Sequence, residues 1–472
     1  MTAADHLESA LRPLLRGPLP VRLTTWDGGA AGPLDAPRVH LTSPRALRRI
    51  LWHPGELGAA QAYVTGEIDV DGDLSSALAT AWQTVATRRI TGVRLPDIAR
   101  LAVAVARIGA LGPPPPAPST QARLRGRRNE RSRDRAAISH HYDAANDFYA
   151  LLLDPTMAYS CGYFAHGVPD DPGHGLAEAQ RDKLDLVCAK LELAPGKRLL
   201  DVGCGWGSLS LHAAEHYGAE VLGITIARAQ RDYIEARIAE RGVGDRVRVR
   251  LLDYRELAET GFDAVASLEM GEHVGERNYP RYARTLHDAA APGAPVLVQQ
   301  MSRRGRHPGG GPFIESFIAP DMAMRPVGDT IGRLELAGLE VRGVQALREH
   351  YVWTAQAWLH RLEERWDEAV ALLGETGART WRLYLAGGAL AFEHGRMGVD
   401  QILARRPAPA PTVQPELAST VQAELASTVR PALVPTVQPE LTPNVQPELT
   451  PDVRRALAPT VRRTPGRTVL PS

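Results

Sequence analysis

Three alternate glycines, Gly203, Gly205 and Gly207, follow the apolar run Leu199-Leu-Asp-Val202, with Asp201 inside the run and Cys204 and Trp206 between the glycines. Helical spacing resumes over Ser208 to Ala214, so the stretch predicts strand, tight turn and helix. Such a turn lets the backbone approach a ligand closely, and the N-terminus of the next helix offers unpaired N–H groups. It suits a nucleotide-like cofactor, but an ordinary strand-to-helix connection reads the same way, and the pattern alone leaves both open. A dinucleotide site calls for an acidic residue at the end of the second strand. Here that strand reads Leu222-Gly-Ile-Thr225, and the carboxylate precedes the glycine turn instead.

The elements that must hold this turn alternate. Strands are predicted at 198–202, 220–225, 247–252, 262–268 and 295–300, with helical stretches between most of them, which argues for a parallel sheet covered on both faces. Ligands in such sheets lie beyond the carboxyl ends of the strands. Before this region, residues 1–111 predict a small α+β domain, with strands near Leu19–Trp26 and Arg38–Thr42 and helices near Pro44–Trp52 and Leu74–Arg88. Residues 112–134 form a linker. It opens on four consecutive prolines, which fix φ, and continues into an arginine run, Arg123 to Arg135. That run reads as a solvated face or as a surface for phospholipid headgroups. From 407 to 472 an eight-residue unit recurs with proline in most copies, which predicts a disordered tail.

A chain of 472 residues exceeds one compact core, and its net charge of +1 gives no global field for nucleic acid. Three cysteines, Cys161, Cys188 and Cys204, suggest no disulfide framework and no metal site, and a reducing cytoplasm fits them. No signal peptide and no run of about 18 apolar residues is found, so any membrane is met from the water side.

Beyond these patterns, Ile138 to Tyr149, Leu153 to Phe164 and Ser267 to Tyr279 resemble motifs of the cyclopropane-fatty-acyl-phospholipid synthases and the mycolic acid cyclopropane synthases, as does Glu349-His-Tyr351 with Trp358 and Trp366. The resemblance covers about residues 135–406. It implies a Rossmann-like class I methyltransferase sheet with flanking helices, preceded by the small α+β domain. S-adenosylmethionine is the implied cofactor, held by Tyr159, Ser160, Asp201, the turn Gly203, Cys204, Gly205, Trp206 and Gly207, then Thr225, Gln230, Tyr254 and Arg255. The implied substrate is an unsaturated phospholipid acyl chain at the inner membrane surface, with a second copy of the chain as a further candidate partner.

The implied reaction moves a methylene unit from S-adenosylmethionine onto the double bond to close a cyclopropane ring, with a lipid C-methyltransferase or a non-catalytic lipid-binding relative as alternatives, and its chemistry is demanding. An isolated double bond is a poor nucleophile and needs a methyl donor held in line; the cation that results needs aromatic faces, a fixed anion and a base for one proton. In the family that base is a bound bicarbonate. The resemblance assigns its ligands to Glu272, the backbone around Cys161, and Tyr351. At the end of the fifth strand, Gln299 and Met301 replace the histidine and isoleucine that many members carry, and a poorly held bicarbonate would favour a methylene or methyl branch over a ring. The Cys161 thiol has no neighbour in sequence to lower its pKa, so a backbone role is expected for it. Structural roles are expected for His140, His141 and His273. The insertion from Arg303 to Pro326 is a candidate wall of an acyl channel.

Overall fold

The computed structural model describes residues 1–88, 95–122, 146–166, 174–305 and 309–408. The arginine run, the Ile138 to Ala145 part of the first motif with His140 and His141, and the octapeptide repeats lie outside these residues.

Helix α1 (Ala3–Leu14) starts on a reciprocal cap between Thr2 and Asp5, which satisfies two N–H groups of the first turn. Strands β1 (Arg22–Thr25), β2 (Ala30–Ala31) and β3 (Arg38–Leu41), helices α2 (Arg45–Trp52) and α3 (Glu56–Val64), strand β4 (Ile68–Val70), and helices α4 (Leu74–Thr87) and α5 (Leu95–Arg107) complete this region. Its sheet has the order β2-β1-β3-β4. Asp73 fixes the start of α4 by accepting bonds from the N–H groups of Ser75 (2.9 Å) and Ser76 (3.0 Å).

The larger region runs α6 (Asn146–Leu152), α7 (Leu176–Lys190), β5 (Arg198–Val202), α8 (Ser208–Tyr217), β6 (Glu220–Thr225), α9 (Arg228–Arg241), β7 (Val247–Leu251), β8 (Ala264–Leu268), α10 (Tyr279–Ala289), β9 (Pro295–Arg303), α11 (Pro312–Phe317), α12 (Val327–Leu336), β10 (Glu340–Ala346), α13 (Arg348–Glu364), α14 (Trp366–Glu393) and β11 (Met397–Arg405). Its seven strands take the order β10-β11-β9-β8-β5-β6-β7. The strands from β5 to β9 pair in parallel, and β11 pairs antiparallel with both β9 and β10. All five strands expected from the sequence are present. Chain order reverses between β5 and β8, so the glycine turn after β5 lies at the switch point, where such sheets bind ligands.

The two regions share one apolar cluster. Tyr63, Val64, Val70, Leu74 and Ala77 pack with Phe148, Trp206, Tyr351 and Trp358. Arg379 on α14 ties them further, donating to the carbonyls of Tyr63 (2.8 Å) and Ile68 (2.9 Å) and to Asp69 (2.9 Å). Among the described residues, no helix is long and apolar enough to cross a membrane.

Candidate active site

Two cavities lie beyond the carboxyl ends of β5, β8 and β9. The smaller is lined by Tyr159, Ser160, the turn from Gly203 to Trp206, Thr225, Gln230, Tyr254, Arg255 and Glu269, which includes most of the residues expected to hold the cofactor. At Gly203 φ is +80°, and a Cβ there would stand 2.8 Å from Met270, so the turn can take no other side chain without displacing the wall. Polar groups are fixed around this cradle. The Thr225 hydroxyl donates to Gln230 Oε1 at 2.8 Å, and Asp253 pairs with Arg255 at 2.6 Å. Asp201 and Gly207 stand behind the lining. Asp201 accepts a 2.8 Å bond from Ser210, and burial pushes its pKa up to about 6; Gly207 caps α8 in a left-handed conformation. A small cavity walled by backbone on one side and by fixed hydroxyl, amide and carboxylate groups on the other fits S-adenosylmethionine. Asp253 and His273 also line it without having been expected to, and burial lowers the His273 pKa to about 4, leaving a neutral ring.

The larger cavity, about 680 Å³, is predominantly apolar. One wall is a continuous face of α4: Leu74, Ala77, Leu78, Ala81, Trp82 and Val85, spaced three or four apart. The opposite wall includes Met301, Phe313, Ile314 and Met324, so the insertion after the fifth strand does line a channel-sized space. Its inner end is aromatic, with Tyr351, Trp358 and Tyr384.

Between the cavities sits a carboxylate that the sequence reading did not single out. Glu269, directly after β8, accepts bonds from the Cys161 backbone N–H (2.7 Å), the Gln299 side-chain amide (2.7 Å) and the Tyr351 hydroxyl (2.7 Å). Its φ of +51° is unusual for a residue with a side chain, a strain of about 1–3 kcal/mol that turns this carboxylate inward. Burial raises its pKa; the three hydrogen bonds and the positive charge of Lys183 act against that rise. Lys183 is itself fully buried on α7 and donates to the Ser160 hydroxyl at 2.9 Å.

Three of the expected anion ligands, Cys161, Gln299 and Tyr351, thus converge, and they converge on Glu269. Cys161 contributes its backbone, as expected, while burial and the Glu269 charge raise its thiol well above the usual range. Met301 lines the larger cavity. Glu272 is fully buried, and among the described residues no side chain hydrogen-bonds to its carboxyl oxygens, which face the backbone N–H groups of Met301 and of Glu272 itself. Burial and then the nearby Glu269 push its pKa to about 8, so Glu272 is largely protonated at neutral pH. The signal for Glu269 was present in the sequence as the second acid of Glu269-Met-Gly-Glu272, but two acids three residues apart do not reveal which one gathers the donors.

Residues 129–402 match the mycolic acid cyclopropane synthetase family. The chain is 36% identical over 406 residues to a "probable fatty acid methyltransferase" of Mycobacterium tuberculosis, covering 83% of this chain and 92% of that protein. It is 32% identical over 409 residues to a tuberculostearic acid methyltransferase of the same organism, covering 83% and 89%. Among solved structures, the cyclopropane synthase MmaA2 of M. tuberculosis superposes with a TM-score of 0.54 at 28% identity, covering 57% of this chain and 98% of that one. The mycolic acid cyclopropane synthase CmaA1, complexed with S-adenosylhomocysteine, superposes at 0.53 with 30% identity, covering 57% and 98%. With the sheet, the glycine cradle and these matches in agreement, the chain belongs to the mycolic acid cyclopropane synthetase family of S-adenosylmethionine-dependent lipid methyltransferases.

Proposed function

We propose that this protein methylates an isolated double bond in an unsaturated phospholipid acyl chain, that Glu269 is the base, and that the product carries a methylene branch. The observation behind this reading is the convergence of Cys161 N–H, Gln299 and Tyr351 on the Glu269 carboxylate. A carboxylate and a bicarbonate present the same planar pair of oxygens, so a side chain in this place does the work expected of a bound anion. The relatives named as fatty acid methyltransferases support the branched product over the ring.

When bound, S-adenosylmethionine supplies an electrophilic methyl group. The apolar cavity orders the acyl chain and excludes water from its double bond. Once one alkene carbon has accepted the methyl, the other is electron-deficient. The Glu269 charge and the aromatic faces of Tyr159 and Trp358, with ring centres 5.2 Å apart, oppose that charge. A hydride shift from the methyl-bearing carbon to its neighbour moves the cation onto the methyl-bearing carbon. Glu269 then takes a proton from the new methyl, whose C–H electron pair becomes the C=CH₂ double bond of the branch, so the chain gains CH₂ overall. Without the hydride shift, loss of a methyl proton closes a three-membered ring instead.

Expression in a host that makes only unsaturated phospholipids, followed by NMR of the extracted acyl chains, tests this. Vinylic methylene signals are expected, with turnover undiminished in carbonate-free buffer. Cyclopropane signals that need added bicarbonate would overturn both the product and the role of Glu269.

A further inference from the structure

The hydrogen bond from Gln299 to Glu269 is the last link of a longer chain. Lys190, at the end of α7, donates to Gln401 Oε1 at 2.7 Å; Gln401 Nε2 donates to Gln299 Oε1 at 2.9 Å; and Gln299 Nε2 donates to Glu269 Oε1 at 2.7 Å. Gln401 and Gln299 are directly opposed in the β11–β9 register and are almost completely buried. An amide can point either way, but an ammonium has donors alone. Lys190 therefore forces the oxygen of Gln401 toward itself, which turns the Gln401 NH₂ to Gln299 and the Gln299 NH₂ to Glu269.

We infer that Lys190 and Gln401 are positioning residues for the base: they lock the Gln299 amide with its donor toward Glu269 and so hold that carboxylate ionised. This rests on the proposed role of Glu269. Neither residue lines either cavity, so neither touches substrate or cofactor. Burial lowers the Lys190 pKa to about 8, so the chain keeps its charged end at neutral pH and loses it above. The other groups that bear on Glu269, namely Lys183, Glu272, the Cys161 thiol and the Tyr351 and Tyr384 phenols, sit on other links and stay in place when this chain is cut.

Gln401→Glu changes one NH₂ to an oxygen. Its carboxylate can still receive Lys190 but cannot donate to Gln299, whose amide then flips and presents its oxygen to Glu269. In isotope-edited infrared titrations with labelled glutamate, assigned by difference against Glu269→Gln, the Glu269 protonation midpoint is expected to rise by about one pH unit or more. In assays on oleoyl phospholipid vesicles, the acid limb of the kcat profile is expected to move up by the same interval, a fall approaching tenfold at pH values below the parent midpoint and vanishing well above it, with KM unchanged. Lys190→Arg, which keeps the charge, should retain most of the activity. An infrared midpoint equal to that of the parent protein overturns the inference, as does a loss of kcat that is uniform with pH. If Gln401→Glu does not fold, Lys190→Met is titrated in the same way, with the same two outcomes. The infrared measurement needs no turnover, so inactivity of the parent protein on vesicles would count against the proposed function and leave this test intact.

Discussion

The Tyr159 hydroxyl donates to the Tyr384 hydroxyl at 3.1 Å, and the two rings belong to different cavities: Tyr159 lines the cofactor cradle and Tyr384 the apolar channel. The bond thus ties the lining of one cavity to the lining of the other. Tyr384→Phe removes it while keeping the ring. A net hydrogen bond of about 1 kcal/mol corresponds to roughly fivefold in kcat. S-adenosylhomocysteine affinity by calorimetry should stay at the parent value, because Tyr384 lies outside the cradle. An unchanged kcat would show that the bond does not align the two cavities.

The two buried acids are separable. Glu269→Gln keeps the shape but removes the base, and turnover should fall by about 10²-fold or more. Glu272 is already largely neutral near pH 7, so Glu272→Gln should retain turnover within a few-fold. The opposite ranking, with Glu272→Gln the inactive variant, would return the anion-binding role to Glu272. Glu269→Gly relaxes the left-handed backbone and opens the space between Cys161, Gln299 and Tyr351; added bicarbonate is then expected to restore measurable turnover.

Stability should carry the mark of Glu272. Its pKa rises from 4.5 to about 8 on folding, with burial the largest cause, so the folded state holds a proton that the unfolded state releases. The contribution is fully present below pH 4.5 and is lost as pH rises through about 8. Calorimetric Tm should therefore decline less between pH 5 and pH 8 in Glu272→Gln than in the parent protein. Parallel curves would mean that Glu272 is ionised in the fold at no cost.

Chain selectivity should answer to α4. Ala81→Phe adds a ring to the channel wall, filling space that a long acyl chain would use. The expected outcome with mixed vesicles is a shift of products toward shorter acyl chains, read by mass spectrometry, with S-adenosylhomocysteine affinity unaltered. An unchanged chain-length distribution would place the acyl chain elsewhere.

Much of this architecture was legible in the sequence because its signals are local. β5, β6 and β9 are apolar runs, and the turn after β5 announces itself with glycines at alternate positions. β10 and β11 were not legible. β10, Glu-Val-Arg-Gly-Val-Gln-Ala, is a largely exposed edge strand without an apolar face, and β11 buries Asp400 and Gln401, polar residues that interrupt its apolar pattern. Their place in the sheet depends on pairings far along the chain, β11 with β9 about 100 positions earlier and β10 with β11 about 60 positions later. Separation in sequence also hid the role of Glu269, whose donors come from residues 161, 299 and 351. Nothing local marks Lys183 as the lysine that α7 turns wholly inward, or Lys190 as the start of a buried amide chain.

The left-handed turn at Glu269 has a consequence for the cell. A base fixed to the chain acts at an effective concentration that no dissolved anion can reach, and it is present at every turnover. With Glu269 in its proposed role, the rate of lipid modification would be independent of dissolved carbonate and would hold steady between cells rich in respired carbon dioxide and cells stripped of it.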